Sequence, residues 1–150
     1  MILCSEMKLK IDNNLMLEEF FDGTRLLGIV APVKSYQFCW QLNQTLQADF
    51  RINHDIEIQL DKKKRKYFFS IYEYHELNGS LTHFLYSNQF DGEYLLPEFK
   101  HLDYLWLLKG DDVKDDEIHG LQLSIKSIPV VQLVMELTTD KIRNKGHLVF

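Results

Sequence analysis

The sequence predicts an α+β protein: a mostly antiparallel sheet of about six strands with two helices packed on one face. Three observations carry that expectation. Strand-like segments cluster in the middle of the chain and are joined by short polar turns rather than by helices. Two stretches with apolar residues at helical spacing flank that cluster. No internal repeat, low-complexity stretch or Pro/Gly/Ser-rich linker divides the 150 residues, so a single domain is expected. The element order is β-α-β-β-β-β-α-β.

Each element has its own signal. Lys8 to Ile11 offers an optional first strand, and Met7-Lys8-Leu9-Lys10 reads as an alternative chain start that would make residues 1–6 dispensable. Leu26 to Ala31 is a continuous apolar run closed by Pro32, the pattern of a buried strand. Ser35 is placed to cap a helix reaching Ala48. On that helix Phe38, Cys39, Leu42 and Leu46 fall on one face, and Tyr36, Trp40, Asn43 and Gln47 form a second stripe on its flank.

Ile56, Ile58 and Leu60 alternate with polar residues, so that strand buries one face. Lys62 to Lys66 is a polar turn. Tyr67 to Tyr74 is apolar on both faces, as in a central strand. Asn78-Gly79 signals a hairpin into Leu81 to Tyr86. Asn88 to Lys100 reads as irregular. Leu102 to Leu108 is a strand ending at Gly110. The acidic run 111–117 opens a helix whose Ile118, Leu121, Ile125 and Ile128 recur at helical spacing until Pro129 stops it. Val130 to Leu137 closes the sheet as an edge strand, with Gln132 and Glu136 on its wetter side. Sheet edges, and a wet sheet face, would favour a two-fold homodimer.

Composition narrows the function. The apolar fraction of 45% and charged fraction of 26% are those of a globular chain, not a disordered one. A formal net charge of −5 opposes nucleic acid and anionic membrane as general partners. Cys4 and Cys39 make no disulfide framework and read as reduced thiols of a cytoplasmic protein. No apolar run approaches membrane-spanning length, and Met1-Ile2-Leu3-Cys4 lacks the basic and apolar regions of a signal peptide. No Gly-rich phosphate loop, nucleophile elbow or HExxH motif is present. No cofactor and no metal is expected, although His75 and His83 flank the Asn-Gly hairpin and could face each other.

One segment stands apart: Leu96-Pro97-Glu98-Phe99-Lys100-His101-Leu102-Asp103-Tyr104. It resembles the signature of the bacterial IPExxxVDY family, with Pro97, Glu98, Asp103 and Tyr104 matching and Leu96 and Leu102 in place of Ile and Val. Leu26-Leu27-Gly28-Ile29, Trp40-Gln41-Leu42-Asn43-Gln44 and the closing Gly146-His147-Leu148-Val149-Phe150 extend the likeness over nearly the whole chain. The resemblance implies no activity, because none is assigned to the family.

Three functional readings remain. Glu98, Asp103 and Tyr104 combine two carboxylates and a phenol, the means for acid–base work or cation binding. With residues 102–104 in a strand, however, Asp103 and Tyr104 would point to opposite faces. The plainer reading has Glu98 and Asp103 tying down loop backbone and Tyr104 packing. The stripe Tyr36, Trp40, Asn43 and Gln47 has the aromatic-polar composition of a protein interface. Lys62, Lys63, Lys64, Arg65 and Lys66 could meet phosphates, with Tyr67, Phe68 and Phe69 as stacking faces, or simply form a solvated hairpin tip. The acidic run 111–117 lacks calcium-loop spacing and suits a helix N-terminus. A non-enzymatic binding or regulatory module, with a protein partner or itself as partner, is the leading expectation.

Overall fold

A computed structural model describes residues 15–77, 79, 81–110 and 113–150. The optional strand at Lys8 to Ile11 and the dispensable segment 1–6 lie outside the described residues. Residues 15–21 form a short helix, α1. There follow β1 (Arg25–Val30), α2 (Ser35–Leu46), β2 (Arg51–Lys62), β3 (Arg65–His75) and β4 (Thr82–Ser87). A small ribbon of β5 (Gln89–Phe90) and β6 (Glu93–Tyr94) precedes β7 (Tyr104–Lys109), α3 (Asp115–Lys126) and β8 (Leu133–Leu137). Six strands form one sheet in the order β2-β3-β4-β7-β1-β8. Every pairing in it is antiparallel. The α+β class and the expected order hold, with α1 and the ribbon added.

The register sorts the side chains into two cores. Leu27 lies opposite Trp106, and Leu85 opposite Trp106 on its other side. These residues, with Ile29, Tyr104 and Leu108, meet Phe38, Cys39 and Leu42 of α2 and Ile118 and Ile125 of α3. Both long helices therefore cover one face. The opposite face is not wet. Leu26, Ile71, Tyr86, Leu105 and Leu107 are buried there under Phe21 of α1, Leu95, Leu96 and Leu102, and Ile142 and Leu148 near the C-terminus. Periodicity cannot reveal this second layer, because short irregular segments build it. α1 is fastened by Lys109, whose Nζ donates to the Phe20 carbonyl at 2.6 Å and lies 3.8 Å from the centre of the Phe20 ring.

Several boundaries move for physical reasons. Lys34, not Ser35, is the N-cap of α2 and makes no side-chain cap bond, while the Ser35 hydroxyl meets the Tyr72 hydroxyl at 3.1 Å. The helix ends at Leu46 because Gln47 turns left-handed at φ 54°. Phe68 and Ser70 are exposed, so the first half of β3 buries only one face. The span 88–100 is ordered into the β5–β6 ribbon and a 3-10 turn at Pro97–Phe99. β8 begins at Leu133 rather than Val130, since the Val131 N–H returns to the Ile128 carbonyl at 2.9 Å.

Candidate functional site

The Leu96–Tyr104 segment is organised by a residue outside it. Asn88 is fully buried. Its side-chain amide donates to the Phe99 and Leu102 carbonyls, both at 2.9 Å, and its Oδ1 accepts the Leu96 N–H at 2.8 Å. Its main chain receives the Leu95 N–H at 2.8 Å and donates to Asp103 O at 2.9 Å. A buried amide with donors and acceptors filled in this way fixes one loop conformation. Sequence reasoning missed Asn88; its only signal was an Asn at a strand end ahead of a long loop. Pro97 opens the 3-10 turn, where a missing N–H costs nothing.

Glu98 reaches out of this turn to the C-terminal segment. Its carboxylate accepts the Asn144 backbone N–H at 3.0 Å and the Asn144 side-chain amide at 3.1 Å. Burial acts to raise its pKa, but hydrogen bonds from the Asn144 side chain, its own N–H and the backbone of Asn144 and Arg143 outweigh that. The carboxyl therefore titrates below its ordinary value. Nearby, Tyr86 donates to the Leu148 carbonyl at 2.8 Å and His147 Nδ1 meets the Leu95 carbonyl at 2.8 Å. These contacts close the second layer over the sheet.

Asp103 lies elsewhere. Its Oδ2 accepts the Ala31 N–H at 2.8 Å, just ahead of α2. Tyr104 is buried, stacks on Phe38 with ring centres 4.6 Å apart, and donates its hydroxyl to the Val33 carbonyl. Burial, helped by the Asp103 charge, pushes the phenol up and keeps it a donor. β7 starts at Tyr104, so Asp103 precedes the strand and the strict alternation that would separate the two does not apply. Both line one open cleft of about 680 Å³, together with Ser35, Tyr36, Ser87 and Phe90. Glu98 is not part of that lining. The structure thus brings together Asp103, Tyr104 and Tyr36, and leaves Glu98 apart.

On α2, Tyr36 is 60% and Trp40 64% exposed, high values for large aromatics. They flank a second hollow of about 530 Å³ that shares Val33 and Tyr36 with the first and adds Gln37, Trp40 and Gln41. Gln41 Oε1 is buried and has no hydrogen-bond partner among the described residues. Asn43 is engaged internally: its amide donates to Phe50 O at 3.1 Å and its Oδ1 accepts the Phe50 N–H at 2.8 Å, tying α2 to the residue just ahead of β2. Gln47 is exposed at the helix end. Gln41, which the sequence reading passed over, lies one position from Trp40.

The basic turn makes no continuous cationic track. Lys62 Nζ lies 3.4 Å from Glu93, and Arg65 pairs with Asp91, so the β5–β6 ribbon partly neutralises it. Lys63 and Lys64 form the turn itself at φ 53° and 64°. Of the aromatics that follow, Tyr67 and Phe69 are core. Phe68 alone is exposed.

His75 does not face His83; it lies opposite Thr82, and Tyr74 lies opposite His83. His83 is buried, accepts the Trp106 indole N–H at Nδ1 at 2.9 Å, and its Nε2 lies 2.8 Å from Glu76. The indole has no other role than donor, so the proton sits on Nε2 and points at Glu76. Burial lowers the His83 pKa. Burial pushes the Cys39 thiol up to about 12, which leaves it unreactive. Among the described residues no group of three His, Cys, Asp or Glu side chains is arranged to hold a metal ion. No helix among them is long and apolar enough to cross a membrane.

Compared with known proteins, the chain matches no family model, no curated protein and no solved structure.

Proposed function

We propose that this chain is a non-enzymatic binding module of the cytoplasm that engages a protein partner through the exposed side of α2. The observation that carries the reading is the pair of adjoining hollows around Tyr36 and Trp40, two aromatics that are both largely exposed. Exposed aromatics beside a concavity supply most of the energy of protein interfaces. In this reading the segment that resembles the IPExxxVDY signature is scaffolding. Pro97 opens the 3-10 turn, Glu98 holds the Asn144 backbone away from the cleft, and Asp103 and Tyr104 bond to the Ala31 and Val33 backbone beside it, which gives such a pattern a reason to recur without any chemistry.

The acid–base alternative has less support, since the cleft that holds Asp103 does not include Glu98 and Tyr104 is a buried donor. The RNA alternative has less support too, because Lys62 and Arg65 have acidic partners. The test is comparative capture. Immobilised wild type and a Tyr36→Ala/Trp40→Ala double variant are exposed to the same cell extract, after both show the same thermal midpoint. The reading expects a protein retained by the wild type and lost by the variant. Identical captured sets, or capture of RNA alone, would overturn it.

A further inference from the structure

We infer that the β8 edge and the adjoining side of α3 form a homodimer interface, in which β8 pairs antiparallel with β8 of a second copy and the sheet continues across a two-fold axis.

The two edges of the sheet are built differently. β2 is protected: it carries Arg51, Asp55, Glu57, Asp61 and Lys62, and its register with β3 shifts between Ile52 and Glu57. Charges and irregularity are the usual means of preventing edge-to-edge pairing. β8 has neither device. Its sequence is Leu133-Val134-Met135-Glu136-Leu137, and its register with β1 runs without a shift. Its one charge is already neutralised, because Arg25 grips Glu136 through Nε at 2.5 Å and a terminal nitrogen at 3.0 Å. An unblocked apolar edge of this kind invites another strand.

The surface beside it is apolar and self-complementary. A groove of about 490 Å³ runs between α3 and β8, and its lining includes Leu123 and Leu133. These are 73% and 41% exposed. Asp115, His119, Gln122 and Lys126 follow helical spacing along the same flank of α3, and the last three line the groove. Continuing the sheet through β8 brings the two α3 helices alongside each other in opposite directions. Centred on the middle of the helix, that arrangement sets Asp115 opposite Lys126 of the second copy, and His119 opposite its Gln122; within the chain Asp115 already touches Arg25 at 3.0 Å and Lys126 Nζ donates to the Gln132 carbonyl, so across the interface each gains a second partner. The acidic first turn (Asp115, Asp116, Glu117) then meets the basic last turn at both ends. A two-fold contact requires such self-matching. A second copy is therefore the occupant whose charge order the surface already fits. The surface is separate from Tyr36 and Trp40, so the inference does not depend on the function proposed above.

The experiment is sedimentation equilibrium of the full chain over a micromolar range. Wild type is expected at twice the chain mass of 17.8 kDa. Leu123→Glu, at a side chain exposed in the single chain, is expected to keep the thermal midpoint at high dilution and weaken the dimer about tenfold or more. Lys126→Asp is expected to weaken it likewise by facing Asp115 with a like charge, and adding Asp115→Lys to that variant is expected to restore it. A wild type that stays at 17.8 kDa throughout overturns the inference. So does a dimer indifferent to Leu123→Glu, or one abolished by Tyr36→Ala/Trp40→Ala instead.

Discussion

Replacing Asn88 by Ala removes three hydrogen bonds from the floor beneath the Leu96–Tyr104 segment. Not all three partners are left bare. The Phe99 carbonyl keeps the Leu102 N–H at 3.0 Å, whereas the Leu96 N–H and the Leu102 carbonyl lose the Asn88 side chain that holds them. Each buried group left without a partner costs about 1–3 kcal/mol. Two of them put the loss at about 2–6 kcal/mol, a large part of the 5–15 kcal/mol by which a typical domain is stable. For a chain of this size the thermal midpoint should fall by roughly 10 °C. Urea denaturation followed by Trp106 fluorescence reads the change. Asn88→Asp should be no rescue, because an ionised carboxylate cannot donate to two carbonyls. A midpoint within a degree or two of wild type for Asn88→Ala would refute the claim that this amide organises the segment.

Three further predictions concern other parts of the frame. Glu98→Gln should cost little and Glu98→Ala about 1–3 kcal/mol, because the amide keeps an acceptor for the Asn144 N–H and the methyl does not; urea midpoints of the two variants decide it. Because the folded pKa of Glu98 is depressed, its stabilisation is complete above the unfolded value of 4.5 and fades as pH falls through the lower folded value. His83 acts in the next window: burial lowers its folded pKa, so unfolded chains take up its proton first, and stability should decline as pH drops below the ordinary 6.5. Thermal midpoints at pH 7.5, 6.0 and 5.0 should show that decline in the wild type and a shallower one in His83→Asn, which keeps an acceptor for Trp106. The hairpin tip offers a gain: Lys63 and Lys64 both sit at positive φ, so changing the pair to Asn-Gly should stabilise by about 1 kcal/mol, and a lowered urea midpoint would contradict that.

The sheet and its two long helices were legible because their signals are local. Leu26 to Ala31 and the face Phe38, Cys39 and Leu42 each declare burial within one element, and the structure buries them. The second layer was not legible, because it rests on contacts distant in sequence. Tyr86 meets Leu148, Glu98 meets Asn144 and Asn88 meets Leu102, and none of these pairs leaves a periodic trace. Asp103 shows how small the margin is. Placed one residue inside a strand, it points away from Tyr104; placed one residue before it, both line the same cleft. The α2 stripe was legible as composition only. Its polar member Asn43 is tied to Phe50, and the orphaned acceptor belongs to Gln41.

The central claim is that the exposed side of α2 is the working surface and the Leu96–Tyr104 segment its support. Hydrogen–deuterium exchange of the chain, free and bound to the protein that the wild type captures, tests this most directly. The account predicts new protection over residues 33–41, with residues 88–104 already slow in the free protein and unchanged on binding. Protection confined to residues 62–66, or appearing first over residues 96–104, would contradict it.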